Sequence, residues 1–179
     1  MKILTLCGSL RRQSINGALL HALAGLAPDE VQIRHFEGMA QLPLFNPDLE
    51  QDHPIAVSQL HHAIAVADLL IIASPEYAHG VTGVIKNALD WCVGLEAFVA
   101  KPVVLLNARA RSQFADAALR EILSTMSARI IQAASTTIPL TSNSLTTEAI
   151  LQAPEVVLAL KRVWEALECF TLESPRYTN

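Results

Sequence analysis

Near its start the chain runs Ile3-Leu4-Thr5-Leu6-Cys7-Gly8-Ser9-Leu10-Arg11-Arg12-Gln13-Ser14-Ile15-Asn16, and this stretch constrains the fold more than any other. Ile3, Leu4 and Leu6 form an apolar run of the kind that a central parallel strand needs when both its faces are covered. Gly8 permits a sharp turn. Ile15, Ala18, Leu19, Ala22, Leu23 and Leu26 then recur at three- and four-residue intervals, which predicts a helix with one apolar stripe and Ser14 as its N-cap. The helix N-terminus therefore faces the turn, where its free N–H groups and dipole meet the hydroxyls of Ser9 and Ser14, the Asn16 amide and the guanidinium of Arg11 or Arg12. Such a set binds phosphate, although Gly- and Ser-bearing turns of this kind also occur with no ligand. The spacing excludes a Walker loop, which needs Gly-Lys-Ser/Thr, and a dinucleotide fingerprint, which needs three spaced glycines. A cysteine phosphatase loop, Cys-x5-Arg, would place its arginine at position 13, where Gln13 stands.

At 179 residues the chain is expected to form one domain over 1–179, burying about 70% of the surface that the unfolded chain exposes. Cys7, Cys92 and Cys169 are widely spaced with no CxxC pair, which indicates packed free thiols in a reducing compartment. No apolar run reaches the ~18 residues of a membrane span and no signal peptide is visible, so the expectation is a cytoplasmic protein without membrane contact. A net charge of −4, with 13 basic residues spread along the chain, gives no electrostatic case for nucleic acid.

Further along, Val31, Ile33 and Phe36 predict a more polar second strand near a sheet edge, with His35 at the surface. Residues 37–54, with Gly38, Pro43, Asn46-Pro47 and Pro54, are too long for a plain connection and are expected to border a site. Ile55 to Asp68 reads as a helix whose adjacent His61 and His62 face different ways; neither they nor any other residues form a metal motif. Leu69-Leu70-Ile71-Ile72-Ala73 is the strongest buried strand, and it runs into Ser74-Pro75-Glu76-Tyr77-Ala78-His79-Gly80. In an open parallel sheet ligands collect beyond the carboxyl ends of the strands, where the order reverses. The turn after strand one and the loop after strand three would then stand side by side, and a planar ring with a phosphate tail fits them. Lys101 to Asn107 predicts strand four, Leu119 to Met126 a helix, and Ile130-Ile131 with Ala133 a fifth strand. Residues 139–154 read as a loop, Val156 to Leu167 as the last helix, and 171–179 as a fraying end.

The run Gly8-Ser9-Leu10-Arg11 with Ser14 and Asn16, then Pro75-Glu76-Tyr77, then Gly83-Val84-Ile85-Lys86-Asn87-Ala88-Leu89-Asp90-Trp91, resembles the NAD(P)H-dependent FMN reductases over roughly residues 2–140. That resemblance implies a flavodoxin-like three-layer α/β/α fold with a five-stranded parallel sheet. It also implies bound FMN, NADH or NADPH as hydride donor, a small-molecule acceptor (flavin, quinone, azo dye or metal oxyanion) and a homodimer or homotetramer. By position, Ser9, Arg11, Ser14 and Asn16 would hold the FMN phosphate; Pro75, Glu76 and Tyr77 would lie along the isoalloxazine, with Gly80 shaping the loop. Ile15, Ala78 and Asn107 would complete the cofactor-binding set. No catalytic residue is nominated, because the cofactor carries the chemistry. The chain departs from the family in two places. Ala78 stands where many members have Asn, and Ala108-Arg109-Ala110-Arg111-Ser112 replaces a Ser-Pro or glycine-rich turn; its arginines either meet phosphates or remain solvated charges. Two other readings stand: a flavodoxin-type electron carrier without a nicotinamide site, and a binding protein without flavin. Trp91, Val93, Leu95 and Phe98 crowd the end of the helix around Val84–Leu95, which suggests that this helix forms the subunit interface.

Overall fold

The computed structural model describes residues 1–109, 112–138, 140, 142 and 145–173. Arg111, parts of the 139–154 loop and the end beyond residue 173 lie outside the described residues. Strands β1 (Lys2–Cys7), β2 (Gln32–His35), β3 (Leu69–Ala73), β6 (Pro102–Asn107) and β7 (Arg129–Ile130) form a parallel sheet in the order β2-β1-β3-β6-β7. A short antiparallel hairpin, β4 (Glu76–Tyr77) with β5 (Gly80–Val81), stands apart from it. The order reverses between β1 and β3, as in a flavodoxin-like doubly wound fold.

The apolar strands explain the layers. Ile3, Leu69, Ile71, Ala73, Val104 and Leu106 project into a core shared with α1 (Ile15–Gly25), α5 (Thr147–Leu151) and α6 (Pro154–Glu173). Leu4, Leu6, Leu70, Ile72, Val103 and Leu105 project the other way, onto α2 (Ile55–Val66), α3 (Gly83–Asp90) and α4 (Gln113–Thr125). Each of the Val, Leu and Ile side chains contributes on the order of 1.5–3 kcal/mol on burial, which is why these three strands form the centre. The register pairs Cys7 with Ala73 and Ala73 with Leu106. Three carboxyl ends therefore finish at one level, and the turns that follow them share one edge.

The structure revises several expectations. The fifth sheet position is held by two fragments: β7 pairs with Pro102 and Val103, and β8 (Thr136–Thr137) pairs with Leu106 and Asn107. Between them the Ser135 hydroxyl accepts from Leu105 N at 3.0 Å and donates to Ile131 O at 2.8 Å, so a side chain takes over one rung of the ladder. Thr147–Leu151 is a helix rather than loop, because Thr146 caps it by accepting from Ala149 N and Ile150 is buried. The last helix starts at Pro154, a residue suited to a first turn. Most of 37–54 does not border the cleft described below. It folds into two 3₁₀ turns and is pinned to α3 and the residue beyond it, with Pro43 O accepting from Asn87 Nδ2 at 2.9 Å and from Trp91 Nε1 at 2.8 Å. Trp91 and Phe98 are consequently buried within the chain. The apolar surplus that pointed to α3 as an interface shrinks to exposed residues such as Val93 and Val99.

Candidate functional site

The turn after β1 is fastened from several directions. Gly8 N donates to Ala73 O at 2.9 Å, and the buried Thr82 hydroxyl donates to Gly8 O at 2.8 Å. Thr82 also accepts from Ile85 N at 3.3 Å, which makes it the N-cap of α3. One hydroxyl thus ties the first turn to the third helix. Gly8 has an ordinary negative φ, so its glycine is not required by turn geometry. It is required by close approach: a Cβ there would lie 2.6 Å from Ser74 Cβ and closer still to Ser74 Oγ. Ser14 caps α1 as expected, accepting from Gly17 N at 3.3 Å, and Ser9 Oγ accepts from Arg11 N at 3.4 Å.

A cleft of about 250 Å³ opens between the three turns at the carboxyl ends of β1, β3 and β6. Ser9, Arg11, Ser14, Ile15 and Asn16 come from the first turn and α1; Ser74, Pro75, Glu76 and Tyr77 come from the second; Asn107, Ala108, Arg109 and Ser112 come from the third. Nine of the eleven residues nominated from the sequence therefore meet around one cavity; Ala78 and Gly80 do not. Asn16 is 3% exposed, and its Oδ1 is the one buried side-chain polar atom without a partner among the described residues. A buried acceptor without a partner beside a cleft is a group that native structures seldom leave unsatisfied. The helix N-terminus, two serines and an arginine suit an anion beside it. Phosphate, hydroxylated chain and ring would each meet the right chemistry.

Three nominated groups have structural duties. Glu76 Oε2 accepts from Ala115 N at 2.9 Å and so caps α4, whose own N-cap, Ser112, makes no side-chain capping bond. Asn107 Oδ1 accepts from Arg109 N at 2.9 Å and its Nδ2 donates to Ser112 O at 3.3 Å, which shapes the third turn. Ala78 and His79 hold the two central positions of the β4–β5 hairpin with φ of 50° and 57°. Such a turn favours Asn-Gly, but Gly80 follows one residue late, in β5. Ala78→Gly is accordingly expected to stabilise the protein by about 0.5–1 kcal/mol, since glycine accepts the left-handed region without strain. A thermal melt raised by roughly 1–4 °C checks this, and an unchanged or lower melt contradicts it.

A second cavity, of about 440 Å³, lies on the other side of the β1–α1 turn; Arg12, Gln13, His21, His35, Glu37 and Thr146–Glu148 line it together with Ser9, Arg11 and Ser14. Arg11 thus faces both spaces and Arg12 only this one. Cys7 also lines it, and burial pushes its thiol up from the ordinary value, so it is no activated nucleophile. Contrary to expectation, His35 is half-buried, its Nδ1 2.7 Å from Thr5 Oγ1 and its ring 4.1 Å from that of His21. Desolvation first, then the neighbouring His21, holds its pKa below the ordinary 6.5, against an opposing pull from Glu37. Above 6.5 both folded and unfolded chains carry it neutral; below, the unfolded chain takes the proton more readily. Stability should therefore fall with pH from about 6.5 through the lowered value. The melting temperature between pH 7 and 5 should drop more steeply in the wild type than in His35→Gln, and parallel curves would refute this.

Thr82 and its bond to Gly8 were not anticipated; a threonine before Gly83-Val84-Ile85 is a legible helix start, but the partner 74 residues away is not. A match to the family described as NADPH-dependent FMN reductase covers residues 1–142. The chain belongs to that family. Among curated relatives of this FMN reductase family member, a 2-hydroxy-1,4-benzoquinone reductase from Burkholderia sp is 45% identical over 91 residues, 51% of this chain and 49% of the relative. A quinone reductase from Escherichia coli (strain K12) is 35% identical over 109 residues, 59% of this chain and 58% of the relative. The chain thus spans about half to three fifths of the length of these two relatives. FerB, a flavoenzyme NAD(P)H:(acceptor) oxidoreductase from Paracoccus denitrificans, superposes with a TM-score of 0.69 at 22% identity, covering 94% of this chain and 97% of FerB. That likeness shows the shared flavodoxin-like fold.

Proposed function

We propose that the chain is an FMN-dependent NAD(P)H oxidoreductase, a single flavodoxin-like domain over residues 1–179 that reduces small-molecule acceptors of the quinone, flavin, azo or metal-oxyanion class. The observation that carries this reading is the joining of an anion-binding turn and an aromatic-bearing loop around one cleft, which Asn16 also lines. FMN, when bound, would supply the hydride-transfer chemistry between NADH or NADPH and the acceptor. The chain's own residues bind and orient. Ser9, Ser14, Arg11 and the N-terminus of α1 would hold the phosphate. Asn16, which lines the same cleft, would stand beside the sugar-alcohol chain. Pro75 and Tyr77 would flank the ring, while Glu76 fixes their loop against α4.

No side chain is assigned as acid or base, so the rate should respond to variants through binding. The free thiols Cys7, Cys92 and Cys169 support a cytoplasmic setting, and among the described residues no helix is long and apolar enough to cross a membrane. A homodimer or homotetramer is supported by the exposed Leu44 and Val93, which flank the Trp91–Pro43 anchor. The deciding experiment supplements purified protein with FMN and follows NADH and NADPH oxidation with a quinone. Turnover no faster than with free FMN alone would end the enzyme reading; FMN binding without nicotinamide oxidation would instead indicate an electron carrier.

A further inference from the structure

The larger cavity, about 440 Å³, lies at the carboxyl ends of β1 and β2, one strand outward from the cleft. Its volume falls within the range of small-molecule sites. Among the residues that line it, Leu20 and Phe36 are buried and supply an apolar floor, while Arg12 and Glu37 stand exposed at the lip. Neither of these two charges is taken up by an ion pair among the described residues.

Phe36 N donates to Thr5 O at 3.0 Å, which carries the β1–β2 pairing one residue past β2 and sets Glu37 beside the turn that follows β1. Arg11 and Arg12 come from that turn, next to the N-terminus of α1, where a negative group is favoured. Three chemistries thus meet: cations and a helix end for phosphate, a carboxylate for hydroxyls, and an apolar floor for a ring. A phosphate-binding turn after one parallel strand, with an acid after the neighbouring strand, is how doubly wound sheets hold the phosphate and ribose of an adenine nucleotide. A bare anion would leave the floor and Glu37 unused. Burial also holds His35, another wall residue, below its ordinary pKa of 6.5, so at neutral pH this part of the wall adds no positive charge.

We propose that this cavity holds the adenosine phosphate end of the nicotinamide donor, an assignment that rests on the flavin reductase reading. Arg12 takes the phosphate on the adenosine side, Glu37 accepts from the hydroxyls of the adenosine ribose, and the base lies on Leu20 and Phe36. Continuity with the cleft singles out a dinucleotide, because Ser9, Arg11 and Ser14 line both spaces. The ends of β2 and β3 are two strand spacings apart, about 10 Å, a gap that the donor's diphosphate bridge crosses along this shared wall. Arg11 then stands between the donor's phosphates and that of FMN. Glu37 discriminates at the ribose: its carboxylate accepts from a free 2′-hydroxyl and repels a 2′-phosphate, so its removal shifts the balance of donors toward NADPH.

The test uses FMN-loaded protein and the variants Arg12→Ala, Arg12→Glu and Glu37→Ala, all at exposed positions. Isothermal titration with ADP-ribose, which is the donor without its nicotinamide, reads the cavity directly. The wild type should bind it, Arg12→Ala should weaken that binding about 5- to 30-fold, and Arg12→Glu should weaken it further. In Arg12→Ala the KM for NADH and for NADPH should rise by a similar factor, with kcat within about twofold. The KM for reduced nicotinamide mononucleotide, which has no adenosine, should stay within about twofold. In Glu37→Ala the KM for NADH should rise more than that for NADPH, whose adenosine ribose has no free 2′-hydroxyl. The proposal is overturned if the wild type does not bind ADP-ribose, if inorganic phosphate displaces ADP-ribose at equal concentration, or if reduced nicotinamide mononucleotide loses as much as the dinucleotides. A fall in FMN affinity and melting temperature alongside ADP-ribose binding in Arg12→Ala also overturns it, since Arg12 would then only brace the turn. Should the wild type show no FMN-dependent donor oxidation, the flavin reductase reading fails separately. Titration alone then judges the cavity: ADP-ribose binding lost in Arg12→Glu upholds an adenosine phosphate site, and binding kept there rejects it.

Discussion

Arg11→Ala is expected to raise the FMN dissociation constant roughly 10- to 150-fold, the effect of removing one charge-assisted hydrogen bond of about 1.5–3 kcal/mol. Riboflavin, which has no phosphate, should lose less than about threefold, since only small loop adjustments remain. Geometry makes Arg12→Ala the control: Arg11 lines the cleft between the three turns, whereas Arg12 lines only the neighbouring cavity. Arg12→Ala should therefore leave FMN affinity within about twofold. Titration of both variants with both flavins by fluorescence quenching checks this. Equal losses for FMN and riboflavin would mean that Arg11 supports the fold rather than the phosphate, and an exchange of the two variants' effects would assign the contact to Arg12.

Gly8→Ala should be the most damaging single methyl group in the protein. The added Cβ would collide with Ser74, whose Cα lies 3.1 Å from that point, so backbone as well as side chain must give way. Movement there strains the bonds from Gly8 N to Ala73 O and from Thr82 Oγ1 to Gly8 O. A loss of about 2–3 kcal/mol is expected, toward the upper end of the usual range for overpacking, or roughly 5–10 °C in Tm. Flavin binding should weaken with it, because the same turn carries Ser9 and Arg11. Combining Gly8→Ala with Ser74→Gly removes the two nearest obstructing atoms. The double variant should be more stable than the sum of the single losses by at least about 1 kcal/mol. Strict additivity would mean that the clash relaxes elsewhere and that Gly8 matters for another reason.

The parts that could be read in advance are those set by local pattern. Apolar runs at Ile3–Leu6, Leu69–Ala73 and Val103–Leu106 became the buried centre of the sheet. The turn around Ser9 and Ser14 opens the capped helix it was expected to open, and the family shown by residues 1–142 is the one those motifs resemble. What escaped was decided by partners far apart in the chain. Pro43 O draws in Trp91, which removes from the surface a ring that looked like an interface residue. His35 reads as a surface residue in a polar strand, yet Thr5 and His21 enclose it. Glu76 lines the cleft with its neighbours, and the helix that its carboxylate caps begins too far along the chain, with Ala115 39 residues away, to be named from local pattern. The hairpin turn escaped for another reason: its left-handed positions carry Ala78 and His79, and local turn chemistry assigns that role to glycine or asparagine.

The divided outer border of the sheet bears on how the protein behaves when crowded. A continuous strand at that position would present a straight row of unpaired N–H and C=O groups, able to zip onto the same row of a neighbouring molecule. Here the row is cut into two fragments of two residues each, and the intervening turn carries Ser135, whose hydroxyl is turned inward to Leu105 and Ile131. The opposite border, β2, has only four residues and includes Arg34. Short, interrupted or charged borders resist edge-to-edge addition. A sheet whose interior strands are as apolar as β3 is thereby kept from growing into a fibre at high concentration.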